Sequence, residues 1–96
     1  MDFKTLKLSM ERTFEGIVNA SREGDLPQEK EVAQFVRQCR QLHMQAEEDW
    51  AGEAEDFAHL ATQLHQAVKN QDAEEVVILV QSLNDAQSYC HRMFKA

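Results

Sequence analysis

Glycine, proline and cysteine are scarce in this chain of 96 residues, which carries three, one and two of them respectively. Glycine and proline are the residues that turn a backbone most readily, so so few of them leave room for only a few reversals. The elements between must be long, and long elements are helices. Two cysteines, Cys39 and Cys90, are too few for the disulfide framework that staples small secreted domains. In an up-down bundle they fall on diagonal helices, and reduced thiols are expected. Basic residues are outnumbered: ten Lys and Arg against 17 Asp and Glu give a formal net charge of −7. That sign repels phosphate backbones and anionic bilayer surfaces, so neither nucleic acid nor membrane is an expected partner. No apolar run approaches the ~20 residues that span a bilayer. The amphipathic start, Met1-Asp2-Phe3-Lys4, lacks the layout of a signal peptide. The expected location is cytoplasmic if Met1 is the native start, and periplasmic if a leader has been removed.

What is present is helical spacing of apolar residues from end to end. A first helix over about 2–22 aligns Phe3, Leu6, Met10, Phe14, Ile17 and Val18, with Gly24 as its stop. Pro27 suits the first turn of a second helix over about 27–50, which aligns Val32, Phe35, Val36, Cys39, Leu42, Ala46 and Trp50. Ala51-Gly52 breaks it. A third helix over about 53–69 presents Ala54, Phe57, Ala61, Leu64 and Val68. After Asn70-Gln71, Asp72 and Glu75 read as a capping box. The last helix, about 72–95, then buries Ala73, Val76, Val77, Val80, Leu83, Gln87, His91 and Phe94. Four helices on short connections predict an all-α fold, an antiparallel up-down-up-down four-helix bundle in a single domain over 1–96.

The end of the chain carries the densest chemistry. Gln87-Ser88-Tyr89-Cys90-His91 has the spacing of the Cys-x-x-Cys-His haem attachment motif, with Gln87 in place of the first cysteine. An imidazole facing a core binds iron through one nitrogen while the other finds a polar partner, which makes His91 the first candidate ligand. In up-down order, the start of helix 1, the end of helix 2, the start of helix 3 and the end of helix 4 share one end of the bundle. At ~1.5 Å per residue, Met10, His43 and His91 lie roughly 12, 10 and 7 Å in from that end. Met10 is the second candidate, since Met/His ligation raises a haem's potential and suits electron transfer; a buried methionine is as readily core filler.

Other ligand sets are weaker. Cys39 and His43 share a helix face and, with Cys90 and His91, form an alternative metal inventory of the kind zinc uses. Adjacent residues on a helix diverge by ~100°, which counts against that set. His59 reads as surface and His65 as core edge. His43 and Glu47 match one pair of a hemerythrin-like di-iron site, but the remaining pairs are missing, as are the two Glu-x-x-His pairs of ferritin-like sites. There is no Gly-rich phosphate loop and no nucleophile–base motif, so an enzyme is not expected.

Leu6-x-x-x-Met10, the stretch from Phe57 to Val68, the Asn70-Gln71-Asp72 turn and the terminal Cys90-His91-Arg92-Met93-Phe94 together resemble the cytochrome c-prime and soluble b-type four-helix cytochrome group over nearly the whole chain. The resemblance implies haem bound by His91, with Phe94 as the aromatic residue three positions on. It implies Met10 as sixth ligand, as in b-type members; c-prime members have an apolar residue there and five-coordinate iron. Gln87 departs from the c-type pattern, leaving Cys90 as a lone thioether. Haem would then be held non-covalently or by a single bond, for electron transfer or small-ligand sensing. The alternative is a haem-free relative acting as a dimeric interaction or metal-binding bundle.

Two surface features bear on partners. Glu47, Glu48, Asp49, Glu53, Glu55 and Asp56 surround the second loop, either as a solvated loop or as an acidic rim that steers a basic redox protein. Leu79, Ala86, Tyr89 and Met93 form a second apolar line on the last helix, where a homodimer would pack.

Overall fold

A computed structural model describes residues 3–94, with side chains described as far as Tyr89. The chain folds into four helices: α1 (Phe3–Arg22), α2 (Glu29–Gln45), α3 (Ala51–Lys69) and α4 (Ala73–Phe94). They pack as the expected four-helix bundle. Among the described residues each helix packs closely on its two neighbours, and the diagonal pairs bring no backbones close together. Among these residues the α2–α3 seam is the most extensive and the α1–α4 seam the slightest. The bundle is 35 Å long, about the length of a single helix at ~1.5 Å per residue.

The helix ends follow from local chemistry. After α1, Gly24 takes φ +80°. Its N–H donates to the Ser21 carbonyl, and that of Asp25 to the Ala20 carbonyl at 3.0 Å. This is the Schellman pattern, which needs one left-handed residue. The end of α3 repeats it with Gln71 at φ 56°, where Gln71 N–H reaches Val68 O and Asp72 N–H reaches Ala67 O, each at 3.0 Å. The Asp72 carboxylate then accepts the Glu75 N–H at 3.2 Å and starts α4 as a capping residue.

The second turn differs from expectation. α2 stops at Gln45, not near Trp50, and α3 begins at Ala51 rather than after Gly52. The cause is the charge of Glu47-Glu48-Asp49. Carboxylates oppose the negative end of a helix dipole and favour the positive end, so the acidic run ends α2 and leads into α3. Trp50 thus caps α3, accepting the Ala54 N–H on its carbonyl at 3.0 Å. Pro27 likewise lies ahead of α2 rather than inside it, with Gln28 extended at the N-cap.

The core follows the predicted stripes in α1, α2 and α3: Leu6, Met10, Phe14 and Ile17; Val32, Phe35, Val36 and Cys39; Ala54, Phe57, Ala61, Leu64 and Val68. In α4 the inward arc is rotated from the one expected. Val76, Leu79, Val80 and Leu83 are buried, whereas Ala73 and Val77 are exposed. That set is i, i+3, i+4 and i+7, the spacing of one helix face. The correction reaches the proposed dimer line. Leu79 is 5% exposed and Ala86 packs against the core, so these residues do not form a free apolar face. Tyr89 is exposed, and the Met93 side chain lies outside the described residues.

Candidate functional site

At the end of the bundle where α1 and α3 begin and α2 finishes, the helices enclose a cleft of about 280 Å³. Its walls are Phe3, Met10 and Phe14 from α1, Phe35 and Leu42 from α2, Ala54 and Phe57 from α3, and Trp50 from the connection; α4 contributes Gln87. Helical spacing produces this wall. Phe3, Met10 and Phe14 fall at i, i+7 and i+11, one stripe of α1. Phe35 is the hub, stacked on Phe14 with ring centres 5.2 Å apart and meeting Phe57 edge-on at 5.8 Å. Trp50 closes one side against Phe3, with ring centres 5.4 Å apart at 62°.

Charged groups occupy the rim. Lys7, Glu11, Glu47 and Glu53 all line the cleft. The Lys7 ammonium lies 5.5 Å from the centre of the Phe3 ring, a cation–π contact that holds it at the mouth. Carboxylates outnumber it there.

Met10 and Gln87, both expected at a ligand site, line the same cleft. His43 does not. Because α2 ends at Gln45, His43 sits in the last turn, about 3 Å from the helix end rather than at the depth of Met10. Its carbonyl receives the Ala46 N–H at 3.1 Å. Cys39 is fully buried, and burial pushes its thiol pKa up, which favours the protonated form over the thiolate that binds metal. Among the described residues no group of three or more His, Cys, Asp or Glu converges as a metal site. The side chains of Cys90, His91 and Phe94 lie outside the described residues. His59 is exposed; His65 is partly buried, with Nε2 3.6 Å from Glu29 Oε1.

Two features escape the sequence reading. One is the aromatic lining, drawn from four separate stretches; its signal is that Phe3, Phe14, Phe35, Trp50 and Phe57 share one half of the bundle once the topology is assigned. The other is a polar contact inside the α1–α2 seam. Gln38 Nε2 donates to Ser9 Oγ at 2.8 Å, Thr13 Oγ1 donates to the Ser9 carbonyl at 3.0 Å, and Gln38 Oε1 is buried without a partner. Neighbouring positions of the apolar stripe conceal both residues.

No known protein family matches the chain, and neither a curated protein nor a solved structure is significantly similar to it.

Proposed function

We propose that the bundle binds haem in the end cleft, for electron transfer or small-ligand sensing, and that Met10 is one of the residues that would hold the iron. The observation that supports this reading is the setting of Met10. Its side chain is 7% exposed and lines an apolar cleft beside Gln87. A thioether facing an aromatic-walled cavity is a donor suited to haem iron, and such walls exclude water and raise the reduction potential. Lys7 is the rim residue that would meet a propionate, while Glu47 and Glu53 repel it. His91, one helical turn after Gln87, is the other residue that would hold the iron, on the strength of the sequence motif alone. Bound haem would supply one-electron exchange or binding of a diatomic ligand; the chain supplies the two donors and the dry walls.

Titration of the protein with haem, followed in the visible spectrum, tests the reading. A saturable Soret band is expected, with Met10→Ala altering the spin-state bands and His91→Ala abolishing the complex. A protein that stays colourless with excess haem overturns the proposal. Acid-acetone extraction then distinguishes non-covalent haem from a thioether at Cys90. A haem-free interaction bundle is the second reading, favoured by the carboxylate-rich rim.

A further inference from the structure

The cleft joins two properties that restrict its occupant: its walls are apolar and its mouth is anionic. We propose that it receives a basic segment of a protein partner, one large apolar side chain entering between the aromatic rings while Lys or Arg residues face the rim. This reading needs the cleft to be a binding site but does not need haem.

Size supports a side chain as the anchor. The cleft holds about 280 Å³, room for one large apolar side chain and at the lower edge of the ~300–1,000 Å³ usual for small-molecule sites. Rings of Phe14, Phe35 and Phe57 form the interior, and Trp50 stands half-buried beside them. Aromatic and Met-lined pockets of this kind seat the apolar anchors of protein partners.

Charge decides what surrounds the anchor. Glu47 and Glu53 line the cleft. No Lys or Arg occurs between Arg40 and Lys69, and within that stretch Glu48, Asp49, Glu55 and Asp56 are exposed. Among the described residues that line the cleft the one Lys or Arg, Lys7, lies over the Phe3 ring. The rim disfavours anionic groups beyond the one that Lys7 can meet, and with them a second copy of a chain carrying a net charge of −7. Six carboxylates fall within residues 47–56, more than a single ammonium group can neutralise. A polycationic segment can face them together.

Trp50 is the one tryptophan of the chain and lines the cleft, so its fluorescence reports on the site. The experiment titrates haem-free protein with a Trp-free amphipathic peptide of Leu, Phe and Lys. A saturable blue shift of Trp50 is expected, weakening steeply with added salt. The double variant Glu47→Gln/Glu53→Gln should bind about tenfold more weakly. Glu23→Gln/Glu74→Gln makes the same change in net charge at the opposite end and should stay within about twofold. Oligolysine of equal charge should leave Trp50 unshifted. The proposal is overturned if the amphipathic peptide gives no shift, if both double variants weaken it equally, or if oligolysine performs as well. A parallel haem titration separates the two readings. Haem binding without peptide binding overturns this inference alone, and the reverse result overturns the haem proposal alone.

Discussion

Cys39 shows how one side chain can tie stability to pH without a charged partner. It is fully buried between apolar neighbours, and removal from water pushes its thiol pKa up. In the unfolded chain the same thiol titrates near 8.5. Below that value both states hold the proton, and the contribution of the neutral thiol is fully present. Above it the unfolded state loses its proton first, so stability declines as pH rises toward the native value. In a Cys90→Ser background, denaturant unfolding between about pH 8.5 and 10 should show a slope approaching 1.4 kcal/mol per pH unit from this group. Cys39→Val should remove that part of the slope. Equal slopes in both proteins would mean that the folded state accommodates the thiolate.

At the scale of the element, two helix ends solve one problem with different residues. Both α1 and α3 finish in a Schellman turn whose left-handed position holds Gly24 in one case and Gln71 in the other. A side chain in that conformation costs about 1–2 kcal/mol, partly offset because glycine is freer in the unfolded chain. Gln71→Gly should therefore raise unfolding free energy by about 0.5–1 kcal/mol, and Gly24→Ala should lower it by about 1 kcal/mol. Thermal or urea unfolding checks both, and a neutral or destabilising Gln71→Gly would contradict the assigned turn. These ends also show what is legible in the sequence. Gly24 and the Asp72–Glu75 pair announce their turns because a single residue type carries the reason. The α2–α3 connection does not: Ala51-Gly52 looks like a break, while the charges of Glu47, Glu48 and Asp49 determine it through the dipoles of two helices. The arc of α4 is only partly legible, in Val76, Val80 and Leu83 but not in Leu79, for a related reason. Val76, Val77, Ile78, Leu79 and Val80 are consecutive apolar residues, so hydrophobicity leaves the inward direction undefined and packing against α3 and α1 selects it. Met10 is legible as an inward, cleft-lining residue because it lies on the single apolar stripe of α1. The aromatic cleft is not, since its wall exists only after four helices are brought together.

For the whole molecule, the unequal seams predict unequal stability. Among the described residues α2 and α3 pack along an extensive seam, whereas α1 meets α4 only slightly, and the cleft lies beside the first half of α1. Opening α1 exposes the cleft wall at Phe3, Met10 and Phe14 but leaves the α2–α3 seam intact. Subglobal opening should therefore begin with α1. Native-state hydrogen exchange is expected to find the slowest amides in α2 and α3, and those of Phe3 to Phe14 exchanging at a lower opening free energy. Uniform protection across the four helices would show instead that the bundle opens only as a unit. A ligand that binds only the closed cleft stabilises it by RT ln(1 + [L]/Kd), about 2.7 kcal/mol at a hundred times Kd. Haem or the basic peptide, whichever occupies the cleft, should therefore slow exchange first in α1. Slowing confined to the other end of the bundle would place the binding site elsewhere.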